Sequence, residues 1–223
     1  MQRSIDYRET VAQAPVGERL AFLKKVYGLL SLSILVAAGA AWMTGTNDKF
    51  LYFVVNNYLL FIVLEIAAVL FTIWARKKET VGLIALFAFT GLTGVTVAPV
   101  ALSYTGDVVV NALLLTGVIF FGLTLYTITS KRDFSFMGGM LTTGLIILIV
   151  GGLLNLFIFR SSMGSFLMSS VAVFLFSGFI IYDTFNIMRR YPTDEYISAT
   201  LSLYLDILNL FLALLRILGM SRD

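Results

Sequence analysis

Seven long apolar runs divide the chain, and each is long enough to cross a lipid bilayer as a helix. A spanning helix needs about 20 mostly apolar residues, because each residue rises about 1.5 Å across a hydrocarbon core about 30 Å thick. The runs cover approximately residues 26–44, 58–75, 81–104, 108–129, 136–159, 166–188 and 196–219. This pattern predicts an all-α fold: a polytopic membrane protein built as a seven-transmembrane-helix bundle.

The composition agrees with a membrane protein and limits the available chemistry. Of the 223 residues, 59% are hydrophobic and only 13% are charged, whereas soluble domains average about 25% charged residues. The chain has no cysteine and no histidine, which excludes disulfides, thiol catalysis, Cys or His metal sites and histidine proton relays. Any group that titrates near neutral pH must therefore be a carboxylate or an amine in an unusual environment.

The ends of the chain are expected to be short tails. Residues 1–25 are polar and mixed in charge, so we expect a flexible cytoplasmic tail, followed by a transmembrane domain at 26–219 and a C-terminal tail at 220–223. A cleaved signal peptide is a less favoured interpretation of the first run. Its leader contains Asp6, Glu9 and Glu18, and the apolar run is too long for a signal sequence.

Basic residues in the short connections predict the orientation, because cytoplasmic loops are enriched in lysine and arginine. One set of connections carries Arg3, Arg8, Arg19, Lys24, Lys25, Arg76, Lys77, Lys78, Lys131, Arg132, Arg189 and Arg190. The connections on the other side carry only Lys49 and Arg160. We therefore expect a cytoplasmic N-terminus and, after seven spans, an external C-terminus.

Four ionisable residues lie inside the predicted spans, namely Glu65, Asp183, Asp206 and Arg216, and Arg76 lies at the cytoplasmic end of the second span. A charge at the bilayer centre costs about 2.5–3.5 kcal/mol on insertion scales, so each needs a reason. At about 1.5 Å per residue, Glu65 lies about 16 Å, Asp183 about 9 Å and Asp206 about 15 Å from the cytoplasmic helix ends. All three carboxylates are thus expected in the cytoplasmic half of the membrane. The long side chain of Arg76, at the matching helix end, could reach inward to a carboxylate such as Asp183.

Two of these carboxylates, if they meet, form a proton-responsive element without histidine. Asp183 and Asp206 cannot both ionise cheaply in a low dielectric, so they would share a proton. When deprotonated, the pair would offer hard oxygen ligands suited to Ca²⁺ or Mg²⁺ in transit. The alternative is that these charges, and Glu65, only pair to hold the bundle together, and that Arg216 snorkels to the outer surface.

Two asparagines share helical faces with the aspartates. Asn186 follows Asp183 by three residues, and Asn209 follows Asp206 by three. They are candidates for an ion pathway together with Glu65. Buried asparagine is equally often a hydrogen-bonding link between helices.

Several segments together carry a resemblance to a known family. The strongest are 202–219, 181–187 and 131–136, and a fourth runs from Leu64 through Arg76 into 87–91. The chain resembles the Bax-inhibitor, or transmembrane Bax inhibitor motif, family, especially its bacterial members. The resemblance covers essentially everything after the first 20 residues.

The resemblance implies a fold and a function. It implies a seven-helix bundle with a central C-terminal helix, and a pH-sensitive calcium leak channel in which Asp183 and Asp206 sense protons. It further implies that Arg76 latches onto Asp183, that Glu65 is the family's glutamate of the second span, and that the membrane is the bacterial inner membrane. We expect no cofactor and no enzymatic activity, with lipid and calcium ions as partners.

The residues also bear on three other functional classes. A regulator that works by protein contact, for example on a membrane AAA protease, is the main alternative. An aspartyl intramembrane protease is disfavoured, because such enzymes carry a Gly-Asp motif, whereas Tyr182 precedes Asp183 and Leu205 precedes Asp206. A retinal-type photoreceptor is excluded, because no lysine follows Lys131 and none can form a Schiff base in the last span.

Overall fold

The chain folds into a helical bundle in the computed structural model, which describes residues 10–220. The α-helices are α1 (Val16–Thr46), α2 (Asp48–Asn56), α3 (Tyr58–Ala75), α4 (Glu79–Leu102), α5 (Gly106–Thr129), α6 (Met137–Leu154), α7 (Ser162–Arg189) and α8 (Tyr196–Met220). A π-helical turn, Asn155–Phe159, extends α6. All except α2 are long and apolar enough to cross a membrane, which confirms the predicted class of an all-α seven-helix membrane protein.

The last helix, α8, is the centre of the bundle. It packs against α1, α4, α5 and α7, and α3 packs on the outside of α4. Ile197, Leu203, Leu210 and Leu215 of α8 are almost completely buried, whereas α6 presents most of its side chains outward. The central position of the C-terminal helix is therefore confirmed.

Small residues set the close approach of α1 and α4. The backbone of α4 at Gly94 lies directly against the Ala37 carbonyl and the Ala40 side chain of α1. Any side chain at position 94 would occupy the space of the Ala37 carbonyl oxygen. Gly94 therefore fixes the distance between α1 and α4.

We expect Gly94→Ala to lower the stability of the bundle by about 1–3 kcal/mol, because overpacking forces the two backbones apart. Gly91→Ala on the same helix is the matched control. A methyl group there makes only an ordinary contact, with Val36 at 3.9 Å. Thermal unfolding of the detergent-solubilised variants measures the effect. Equal melting temperatures for the two variants would contradict this account of the α1–α4 contact.

The N-terminal boundary differs from the sequence prediction. Helix α1 begins at Val16 rather than near residue 26, and Val11 and Phe22 are buried in the core. Pro15 disfavours helix in the residue before it, so the helix starts just after it, and Glu18 in the first turn complements the helix dipole. The expected flexible tail is thus wrong for residues 10–25. Residues 1–9 and 221–223 of the predicted tails lie outside the described residues.

A second difference concerns the longest connection, residues 45–57. It contains the short helix α2, which begins after Asn47, and the side-chain oxygen of Asn47 accepts a hydrogen bond from the Phe50 amide at 3.1 Å. Asparagine is a favourable N-cap because this bond satisfies an otherwise unpaired amide. The helix was not predicted because its nine residues are too short to stand out as a periodic pattern.

Candidate functional site

Asp183 and Asp206 lie against each other across the packed faces of α7 and α8. Asp206 is only 5% exposed, and Asp183 is partly buried. The Oδ2 atom of Asp206 is buried without a hydrogen-bond partner in the part of the chain that the structure describes. A buried carboxylate oxygen with no donor is costly, and a proton or a cation would satisfy it.

The pair lies on the wall of a cavity of about 710 Å³ between α6, α7 and α8. The polar side chains in its lining are Asp183, Ser202, Asp206, Asn209 and Arg216, together with Ser169 of α7. The rest of the lining is apolar or aromatic. The cavity extends along α8 from Ser202 to Arg216, which is about 21 Å at 1.5 Å per residue.

The two candidate asparagines differ in their surroundings. The Asn209 amide nitrogen donates to the Leu205 carbonyl of its own helix at 2.7 Å, and the residue lines the cavity. Asn186 is buried one turn from Asp183, and its Oδ1 has no hydrogen-bond partner among the described residues. Asn209 is therefore placed to meet an ion in the cavity, whereas Asn186 does not line it.

Arg76 follows the last residue of α3 and is partly buried. Arg76 and Asp183 both lie near Tyr191, which belongs to the connection between α7 and α8. The Asp183 charge raises the pKa of the Tyr191 hydroxyl, and the Arg76 charge lowers it. Burial raises the pKa of Tyr191 to about 12, so this hydroxyl stays protonated and shares a hydrogen bond with Ser202 Oγ at 3.3 Å. Within residues 10–220, no ion pair joins Arg76 directly to Asp183.

Glu65 belongs to a separate polar cluster between α3 and α4. Its Oε2 atom accepts a hydrogen bond from Thr96 Oγ1 at 2.6 Å, and Tyr58 donates to the Thr96 carbonyl at 3.2 Å. The buried Tyr204 of α8 lies near this cluster. Tyr204 and Asp206 are two residues apart and thus point to opposite sides of α8. The structure therefore does not bring Glu65 to the cavity that Asp183 and Asp206 line.

A short N-terminal segment reaches this end of the bundle and was not anticipated. The Val11 amide donates to the Tyr191 carbonyl at 2.9 Å, and Thr10 forms an isolated bridge with Pro192. The Val11 side chain is completely buried in the core. A single valine in a polar segment carries no periodic signal, so the sequence alone gives no reason to place it next to Tyr191.

Groups of three or more acidic side chains that could hold a metal are absent from the described residues. The aspartate pair offers carboxylate oxygens from two residues, with the Asn209 side chain nearby in the lining. Ca²⁺ sites that retain the ion usually supply six to eight oxygens. The geometry therefore fits brief contact with a cation better than tight binding.

Comparison with known proteins places the chain among membrane proteins of one family. Residues 19–223 match the family model described as "Inhibitor of apoptosis-promoting Bax1". Protein lifeguard 4 of Mus musculus is 40% identical over 98% of this chain and 92% of its own length. An uncharacterized membrane protein of Vibrio cholerae is 42% identical over 90% of both chains, and a Golgi anti-apoptotic protein of Vaccinia virus is 37% identical over 99% of this chain and 94% of its own.

Proposed function

The chain belongs to the Bax inhibitor family of multi-pass membrane proteins, and from this premise we propose that it is a pH-sensitive calcium leak channel. Asp183 and Asp206 form its proton-responsive gate, and Arg76 holds the closed arrangement. Its membrane would be a bacterial inner membrane. The distribution of basic residues favours an N-terminus in the cytoplasm.

The buried Oδ2 atom of Asp206 supports the proposal most strongly, because it has no hydrogen-bond partner within residues 10–220 and lies beside a second carboxyl group. Two adjacent carboxylates in a low dielectric repel each other, and a shared proton removes that repulsion. Proton gain or loss therefore changes the free energy of contact between α7 and α8. A two-state equilibrium between closed and open bundles would respond to this change.

Arg76 acts from the end of α3 as a positive charge near the pair. The Arg76 and Asp183 charges act in opposite directions on the pKa of Tyr191, which supports a position of Arg76 near the pair. Tyr191 in turn contacts Ser202 at the inner end of the cavity. Loss of the Arg76 charge would weaken the closed arrangement without touching the cavity lining.

Passive flow is the mechanism that this chemistry favours. Carboxylate and amide oxygens suit a hard cation such as Ca²⁺, and weak binding by few ligands lets an ion leave as readily as it enters. The sequence offers no glycine-rich phosphate-binding loop that would couple transport to a nucleotide. A gradient across the membrane is then the source of free energy for flow.

Reconstitution tests the proposal. Purified protein in liposomes loaded with a calcium dye is expected to pass Ca²⁺ faster than protein-free liposomes, with a rate that changes across about pH 6 to 8, where a shared proton on a carboxyl pair can exchange. A flux equal to that of protein-free liposomes at every pH would refute the channel proposal. The aspartates would then be structural, and a regulator acting by protein contact would be the better account.

A further inference from the structure

From the aspartates toward the C-terminal end of α8, the cavity is an apolar cleft that opens to the surface facing the lipid. Its walls are Leu153, Leu156, Met168, Ala172 and Leu212. Only 6% of the span that includes α6 is buried in the bundle, so the rim of the cleft lies at the surface that lipid surrounds. Apolar walls gain from an apolar occupant, because water beside them would find few hydrogen-bond partners.

Arg216 stands at the outer end of this cleft. It is exposed and lies four residues before the end of α8. It follows Asp206 by ten residues, so about 15 Å of helix separates the two side chains. A guanidinium so close to the helix end is at the depth of lipid headgroups, where phosphate can accept two parallel hydrogen bonds from it.

The apolar walls of the cleft and the Arg216 guanidinium match the apolar chain and the charged headgroup of a lipid. We propose that the cleft between α6, α7 and α8 binds one acyl chain of an anionic phospholipid, whose phosphate contacts Arg216. The chain would lie along the apolar walls with its end toward Asn209 and Asp206. The whole cavity, of which the cleft is a part, has a volume of about 710 Å³, which is within the usual size of pockets that hold an apolar ligand with a few polar contacts.

Occupation of the cleft has a consequence that rests on the proposed function. An acyl chain in the cleft would block the route between the outer surface and Asp206, so bound lipid would lower the calcium leak. Anionic lipid would then act as a regulator of the same site. Lipid binding itself does not require that the protein conduct ions.

Photo-crosslinking tests the binding directly. The full-length protein is reconstituted with phosphatidylglycerol that carries a photoactivatable group in one acyl chain, and the labelled peptides are mapped by mass spectrometry. Labelling is expected on the α6 and α8 walls of the cleft. It should fall about fivefold or more in Arg216→Gln, because glutamine cannot make the charge-assisted contact with phosphate. Arg216→Lys, which keeps the charge, should retain part of it.

Arg160→Gln is the matched control, since Arg160 lies on the turn between α6 and α7 near the same membrane surface and does not line the cleft. It should label like the wild type. Equal labelling of wild type and Arg216→Gln, labelling only outside the cleft, equal labelling with photoactivatable phosphatidylcholine, or labelling by a free fatty acid alone would each overturn the proposal. Calcium flux is measured separately, so a protein that binds the lipid but conducts nothing would overturn only the channel.

Discussion

Asp206→Asn is expected to reduce the change in calcium leak between pH 6 and pH 8 to less than about twofold, because one half of the proton-sharing pair no longer titrates. Asparagine has nearly the same shape as aspartate, so the packing of α7 against α8 should persist. Its amide can donate to Asp183 and replace the shared proton at every pH. Flux into dye-loaded liposomes, followed across the pH range, measures the effect.

Asp48→Asn is the control for this substitution. Asp48 is exposed in the first turn of α2 and lies in a different part of the bundle from the cavity. It should leave both the leak and its pH profile unchanged. If Asp206→Asn kept the full pH response of the wild type, Asp206 would not belong to the proton-responsive group.

Arg76→Ala is expected to raise the leak about fivefold or more at the pH where the wild type is most closed, as the loss of roughly 1 kcal/mol from the closed state would give. The positive charge near Tyr191 and Asp183 stabilises the closed arrangement, and alanine removes it without adding bulk. The same liposome assay measures the change, with thermal unfolding as a check that the bundle stays folded.

Lys77→Ala separates the latch from the general effect of basic residues. Lys77 follows Arg76 directly but is exposed, so it contributes charge at the same end without reaching the buried pair. We expect it to behave as the wild type. A leak raised equally by both substitutions would show that surface charge, and not the Arg76 side chain, sets the closed population.

The sequence predicted the architecture well because the bilayer imposes strict rules on it. A run of about 20 apolar residues can satisfy its backbone in lipid only as a helix, so the seven spans followed from length and hydropathy. The charges at Asp183, Asp206 and Arg216 stood out for the same reason, since charged residues inside spans are rare. Counting residues gave Asp183 and Asp206 different depths, so depth alone did not pair them. The resemblance implied that pair, and the structure brings the two side chains together.

Other features depend on tertiary packing and could not be predicted from hydropathy or residue spacing. Val11 is buried, and its amide donates to the Tyr191 carbonyl in the α7–α8 connection. No local rule predicts that contact between distant parts of the chain. The position of Glu65 on the far side of α8 depends on how α3 packs on α4. Counting residues gives depth in the membrane, but it does not give the direction in which a side chain points around the bundle.

The most direct test of the account compares the pH profiles of calcium leak for Asp183→Asn, Asp206→Asn and the double variant. If the two aspartates act as one unit, each single substitution should flatten the profile, and the double variant should flatten it no further. Such non-additivity is what a shared proton predicts. Effects that add, with each single variant keeping about half of the pH response, would contradict a coupled pair and indicate two independent groups.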